Sequence, residues 1–207
     1  MSEPAHPNHH RDVAAFDLRA AGYENGWRGQ LHREITTRTA APAAREAHAS
    51  SRILDVGCGT GQLLRLLAAT FPTASEVRGL DPAPSMLAVA ATHAHDPRLS
   101  FDAGDAEKLP IPDGHFDLVV TTTSFDHWSD QAAGLQQCAR VLGAGGLLVL
   151  VDLPLLLLAP TLLGERRRKA RTNSRAGRLL DAAGFSAPVW HDLYTPIIKA
   201  VTARLSR

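Results

Sequence analysis

The sequence predicts an α/β protein built on a mostly parallel sheet, and three observations predict it. From Ser51 to Asp152 short apolar runs alternate with helical stretches of 10 to 15 residues, the pattern of βαβ crossovers. One of these runs, Ile53-Leu-Asp-Val56, passes directly into Gly57-Cys-Gly-Thr-Gly61, a turn from strand to helix. The chain has 207 residues, an ordinary length for one domain and enough to bury a sizeable core.

In chain order, residues 1–12 are polar and rich in histidine and proline, and read as a disordered tail without the apolar segment of a secretory signal. His6, His9 and His10 lie in it, but a flexible tail lacks the fixed geometry of a metal site, and no metal is expected. Val13 to Ala21 and Gly29 to Ala47 have helical character, broken by Gly22, Gly26 and Pro42, and residues 13–50 are expected to form a helical cap rather than a core element. Residues 51–207 form the main domain. Thr60 to Phe71 carries leucines at 63, 64, 66 and 67, the spacing of a helix with one apolar face. Glu76 to Leu80, ending at Asp81, is the second strand, Leu99 to Ala103 the third and His115 to Thr122 the fourth. Gln131 to Leu142 is the helix before a fifth strand, Leu147 to Asp152, and Gly145-Gly146 turn the chain between them. A last helix, Ser174 to Ala183, stops at Gly184, and Ala187 to Leu193 and Ile197 to Ala203 supply closing strands.

The glycine loop carries the strongest functional signal. Glycine tolerates positive φ and lets a ligand lie against the peptide planes. The spacing here is G-x-G-x-G, whereas the dinucleotide fingerprint G-x-G-x-x-G places its third glycine one residue later. Asp55 also precedes Gly57, which disfavours a phosphate and suits an ammonium group. Together these features favour a cationic nucleoside ligand. In Asp55-Val-Gly57-Cys58-Gly59-Thr-Gly61 the chain resembles the class I S-adenosylmethionine-dependent methyltransferases. Three further places agree with that family in spacing and order: Asp81, Gly104-Asp105-Ala106, and Ser124-Phe-Asp-His-Trp128 after the fourth strand.

The resemblance covers Ser51 to about Ala203 and implies a Rossmann-like, mostly parallel seven-stranded sheet with helices on both faces and an antiparallel C-terminal edge pair. It implies S-adenosylmethionine as cofactor, held by Asp55, Gly57, Cys58, Gly59 and Gly61, with Asp81 on the ribose hydroxyls and Pro82 and Met86 beyond it. It also places Gly104, Asp105 and Ala106 beside the adenine, with Asp105 accepting from the exocyclic amine, and Thr122 at the end of the fourth strand. In Gly22-Tyr-Glu-Asn-Gly-Trp27, Tyr23 is the candidate to close over the methionine end of the cofactor, a sulfonium facing an aromatic ring. His127 is the candidate general base, because it follows the fourth strand and can titrate near neutral pH. Asp117 precedes a buried apolar run and is left outside the site.

The expected reaction moves the methyl group to an oxygen, nitrogen or carbon nucleophile of a small, lipophilic acceptor. Two other readings stay open: a non-catalytic S-adenosylmethionine-binding protein on the same fold, and an NAD-dependent oxidoreductase, which the glycine spacing disfavours. With 22 basic and 21 acidic residues the formal charge is +1, so no attraction to nucleic acid or to an anionic membrane follows. Cys58 and Cys138 lack a C-x-x-C spacing, which fits a reducing, cytoplasmic setting, and the expected assembly is a monomer or homodimer. Leu153 to Leu163 is almost wholly apolar, contains Pro154 and Pro160, and precedes the basic run Arg166-Arg-Arg-Lys169. It is too short and broken to span a bilayer, and can act as a core helix, a lid over the acceptor or a membrane contact.

Overall fold

The computed structural model describes residues 7–47, 51–152, 173–194 and 198–206; the segment from Leu153 to Leu163 lies outside the described residues. The first strands are β1 (Arg52–Val56), β2 (Glu76–Asp81), β3 (Leu99–Ala103), β4 (Phe116–Thr122) and β5 (Leu142–Asp152), and they pair in parallel. β7 (Ile198–Leu205) runs antiparallel to both β5 and β6 (Phe185–Tyr194). The sheet has seven strands in the order β3-β2-β1-β4-β5-β7-β6, the mixed architecture the sequence predicts. From β1 the chain goes to β2 on one side and returns to β4 on the other. That reversal opens a crevice at the carboxyl ends of β1 and β4, where ligands bind in open α/β sheets.

Two cores form because both faces of the central strands are apolar. On one face Ile53, Val77, Leu118 and Val120 pack against α2 (Gly26–Glu46) and α3 (Gln62–Thr70), with Leu87 of α4 (Pro84–Thr92) at the edge. On the other, Leu54, Val119, Leu148 and Val201 pack against Leu135 and Cys138 of α5 (Gln131–Val141) and Leu180 of α6 (Asn173–Ala182). Asp117, unassigned from sequence, is structural: its Oδ2 accepts the Arg52 amide at 2.8 Å.

The structure departs from the sequence reading at the N-terminus. Helix α1 spans Pro7–Arg19, so residues 7–12, expected as tail, are its first turns; a proline at a helix start loses no hydrogen bond that the helix would make. Helix α2 runs through Pro42, expected to break it, and is a core element rather than a cap. Ile35, Ala40 and Ala43 are buried on one face of it, and this packing offsets the one interior hydrogen bond lost near its end.

Elsewhere the differences are local. Helices α3 and α4 have 9 residues each, shorter than the expected 10 to 15, whereas α5 has 11 and α6 has 10. No helix joins β3 to β4. Residues 104–115 cross as a loop, buried through Leu109 and Ile111 and tied by Arg140, whose guanidinium donates to the carbonyls of both and to Asp113. β5 begins at Leu142 rather than Leu147. The pairing passes from Phe116↔Leu142 to Leu118↔Leu147, so the residues around Gly145 and Gly146 form a bulge inside the strand.

Candidate active site

The crevice is framed by backbone hydrogen bonds that fix the glycine loop to the end of β2. The amides of Gly57 and Cys58 both donate to the Leu80 carbonyl, at 2.8 and 3.0 Å. Asp81 completes the clamp: its Oδ2 accepts the Gly59 amide at 2.8 Å and its Oδ1 the Ala83 amide at 2.9 Å, at the start of α4. One carboxylate thus positions both the loop after β1 and the helix after β2.

The first two glycines serve different ends. Gly57 has φ +78°, and a Cβ there would lie 2.4 Å from the Ser124 side chain, so the loop after β4 packs directly on it. Gly59 has φ +52°, but a Cβ there would meet no atom within 4 Å. It lines the cavity and leaves room for a ligand against its peptide planes. Ser124 holds the opposite lip: its hydroxyl donates to the Val56 carbonyl at 2.9 Å, accepts from Trp128 Nε1 at 3.2 Å and shares a hydrogen bond with Thr121 at 2.7 Å.

Among the described residues a cavity occupies this crevice. Asp55, Gly57, Cys58, Gly59, Asp81 and Pro82 line one side of it, and Met86, Gly104, Ala106 and Thr122 lie further along, with Tyr23 and His127 also in its lining. Gly61 and Asp105 are not in the lining. Gly61 serves packing, since a Cβ there would lie 2.7 Å from the Phe101 ring, and Asp105 is exposed to solvent. Trp27, in the same aromatic stretch as Tyr23, is also turned outward, at 69% exposure. Val13 and Phe16 of α1 and His32 and Thr36 of α2 join the wall. The Phe16 and His127 rings stand perpendicular with their centroids 5.0 Å apart, and the Tyr23 hydroxyl lies 3.3 Å from His32 Nε2.

Sequence reasoning misses several of these residues. His32 and Phe16 carry no motif and reach the cavity only through helix packing. Ser124 stands in the family-like stretch after β4 with no role assigned to it from sequence, and Glu107, the acid that does line the cavity, could have been suspected from its neighbourhood to Asp105.

The electrostatics are acidic. Asp55 is buried, and burial, with the nearby Asp81 carboxylate, pushes its pKa up to about 8. Burial also raises the Asp81 pKa against the lowering effect of its two backbone hydrogen bonds. The Tyr23 hydroxyl is pushed up to about 12 by burial, and burial raises the Cys58 thiol well above its ordinary range, which removes it as a nucleophile. Among the described residues, two buried side-chain polar atoms lack a hydrogen-bond partner, Asp55 Oδ1 and Thr122 Oγ1, and both residues line this cavity. Native proteins rarely leave such atoms unsatisfied unless a ligand or water reaches them. No group of three or more His, Cys, Asp or Glu among the described residues is placed to hold a metal ion.

Fold and cavity define a doubly wound α/β protein with a nucleoside-type crevice at its switch point. Residues 54–150 match the family described as methyltransferase domain. The malonyl-[acyl-carrier protein] O-methyltransferase of Laribacter hongkongensis is 32% identical over 212 residues, 91% of this chain and 68% of that protein. The demethylmenaquinone methyltransferase of Deinococcus radiodurans is 38% identical over 135 residues, 64% of this chain and 52% of that protein. The chain thus spans about half the length of several curated relatives it matches. Among solved structures, an S-adenosylmethionine-dependent methyltransferase of Aquifex aeolicus superposes with a TM-score of 0.70 at 17% identity, over 94% of this chain and 98% of that one. The chain belongs to the class I S-adenosylmethionine-dependent methyltransferases, whose cofactor is S-adenosylmethionine.

Proposed function

We propose that the chain transfers the methyl group of S-adenosylmethionine to an oxygen, nitrogen or carbon nucleophile of a small, lipophilic acceptor. The observation that carries this reading is the pair of unpartnered buried atoms, Asp55 Oδ1 and Thr122 Oγ1, lining a cavity whose glycine loop leaves open space at Gly59. The residues fit the cofactor. A buried, unpaired carboxylate suits a ligand that carries an ammonium and a sulfonium, and the cradle at Gly59 admits it against the backbone. The names of the relatives, which include a quinone and a carrier-bound malonyl group, support an acceptor of modest size.

When bound, S-adenosylmethionine supplies a methyl group already activated on sulfur, so the protein mainly binds, orients and excludes water. Asp55, Gly57, Cys58, Gly59, Asp81 and Pro82 would hold the cofactor at the ends of β1 and β2. Met86, Gly104, Ala106, Thr122 and Tyr23 would complete its enclosure. Holding both reactants in line can lower the barrier by about 7 to 11 kcal/mol in favourable cases. Phe16, Val13 and Trp128 add an apolar stretch to a wall that also holds His32, Thr36 and Glu107, and that stretch suits a lipophilic acceptor. An imidazole nitrogen of His127 would take the proton released by the acceptor.

No described helix is long and apolar enough to cross a membrane, and Cys58 and Cys138 are both free and buried, in keeping with a reducing compartment. Calorimetry with S-adenosylmethionine and S-adenosylhomocysteine tests the cofactor, and release of S-adenosylhomocysteine against a panel of lipophilic hydroxyl, amine and activated-carbon compounds tests the acceptor. Saturable binding with turnover on at least one panel member is expected. Binding without turnover would favour the non-catalytic reading, and preferential binding of NAD would overturn both.

A further inference from the structure

Among the described residues two non-glycine residues have a positive φ, Thr123 at +54° and Ala187 at +48°. Ala187 is exposed and sits where the β6–β7 pairing shifts between Ser186 and Val189, a bulge at the edge of the sheet. Thr123 differs on both counts. It lines the cavity, and it is β-branched, the kind of side chain that the left-handed region tolerates least. Glycine makes such a turn without strain. A strained residue at a ligand site persists only where its surroundings hold it there, and its presence points to a use.

The surroundings of Thr123 do hold it. β4 ends at Thr122, paired with Val151, and the Thr123 amide adds one more bond to that ladder, to the Val151 carbonyl at 2.8 Å. The left-handed step then turns the chain out of the strand, and Ser124 follows in a helical conformation with φ −115° and ψ −24°. That reversal lets the Ser124 hydroxyl reach the Val56 carbonyl at the end of β1. Beyond it, the 3-10 turn Phe125–His127 is fixed from α5. Gln131 Nε2 donates to the Phe125 carbonyl at 3.0 Å, and a Cβ on Gly134 would lie 2.3 Å from Trp128 Cε3, so the indole packs directly on the helix. Thr123 is therefore the joint between an anchored strand and an anchored turn. A glycine at this joint would explore both signs of φ, whereas a residue with a branched Cβ stays in one narrow well once packing has placed it there.

We infer that Thr123 is a positioning residue for methyl transfer: its left-handed backbone, confined by the β-branched side chain, sets the Ser124–His127 turn against the glycine loop and so fixes where an acceptor lies. The inference rests on the methyl-transfer reading above. The strain accompanies a joint that does not wander. Misplacing reacting groups by about 1 Å can lower a rate by about 10²-fold, so confinement of this kind acts on turnover rather than on cofactor affinity.

Thermal unfolding, calorimetry with S-adenosylhomocysteine and steady-state turnover on an acceptor identified from the panel test this in the full chain. The parent is measured first, and absence of turnover there overturns the methyl-transfer reading and this role with it. Given parental turnover, Thr123→Gly is expected to melt about 2 °C above the parent, because the strain relieved exceeds the entropy added to the unfolded chain. Its kcat should nevertheless fall about tenfold or more, while the affinity for S-adenosylhomocysteine stays within about twofold. Thr123→Val keeps the branch and the confinement and should retain kcat within about threefold. Ala187→Gly makes the same kind of exchange at the exposed bulge and should leave kcat and affinity at parental values. Hydrogen exchange of the ligand-free protein supplies a readout apart from activity: the amides of Asp126 and His127 should exchange faster in Thr123→Gly, and those of Leu118 to Val120 should not. Parental kcat in Thr123→Gly, or a kcat that falls together with a lowered melting temperature, overturns the inference. So does an equal loss in Thr123→Val, which would make the hydroxyl rather than the backbone the working part.

Discussion

Asp81 Oδ2 accepts the Gly59 amide at 2.8 Å, so the acid at the end of β2 fixes the shape of the loop after β1 before any ligand arrives. The family resemblance assigns Asp81 to ribose; the structure gives it a structural duty as well. A carboxylate has about four acceptor sites, so two backbone amides leave room for ribose hydroxyls.

Asp81→Ala is therefore expected to act twice. It should weaken S-adenosylmethionine binding about tenfold or more and also lower the melting temperature, since the amides of Gly59 and Ala83 lose their acceptor, at about 1 to 3 kcal/mol for each buried group left unpaired. Calorimetry and thermal unfolding of the same sample check both effects. A lowered melting temperature with affinity within twofold of the parent would show that Asp81 serves the loop alone.

The two loop glycines should separate fold from binding. Gly57→Ala drives a Cβ into Ser124 at a φ of +78° and is expected to destabilise the fold by about 1 to 3 kcal/mol through overpacking and left-handed strain. At Gly59 a Cβ meets no protein atom within 4 Å, and the left-handed strain of a side chain there is about 1 to 2 kcal/mol, so Gly59→Val should remain folded while losing cofactor binding to a clash with the ligand. Unfolding curves and calorimetry on the pair check this. Parental affinity in folded Gly59→Val would remove the ligand from that cradle.

Asp55 gives a pH signature. Its pKa is about 8 in the folded chain, raised by burial and then by Asp81, against about 4 when unfolded. The folded state therefore holds a proton that the unfolded state has lost, and this group makes stability fall as pH rises from about 4 to about 8. Asp55→Asn lacks that slope, so in the ligand-free protein its stability relative to the parent should improve steadily between pH 5 and pH 8. Denaturant unfolding at both values checks it. A cationic ligand favours the ionised carboxylate, so parental cofactor affinity should rise over the same interval, with proton release visible in buffers of different ionisation enthalpy.

What the sequence made legible follows the local physics. Strand–glycine–helix chemistry at Asp55 to Gly61 is written in contiguous residues, and the short valine-rich run Leu118-Val119-Val120 favours a buried strand, which β4 is. Hence the sheet and most of the loop were readable. His32 and Phe16 were not, because they reach the cavity through the packing angle of helices that no local pattern encodes. Asp105 and Glu107 show the same limit at shorter range: the resemblance assigns Asp105, and the turn after β3 leaves it exposed to solvent while Glu107, two residues on, lines the cavity. Pro42 shows tertiary packing overriding a local rule, with Ala43 buried immediately after it.

His127 supplies the last test. It lies in a short 3-10 turn, Phe125–His127, whose geometry is set by the Asp126 amide donating to Asp152 Oδ2 at 2.8 Å and by the Ser124 carbonyl accepting the His127 amide at 2.8 Å. The ring is thus carried on a fixed backbone at the lip of the cavity, with the Phe16 ring packed perpendicular to it. A positioned imidazole that accepts the acceptor's proton is worth about 10² to 10⁴ in rate. His127→Gln keeps a polar side chain of similar reach and is expected to lower kcat by about 10²-fold while the affinity for S-adenosylhomocysteine stays within a few fold of the parent. Steady-state kinetics on whichever acceptor the panel identifies, paired with calorimetry, reads the two quantities separately. A change confined to the acceptor KM would mean that His127 shapes the pocket with Phe16 and moves no proton.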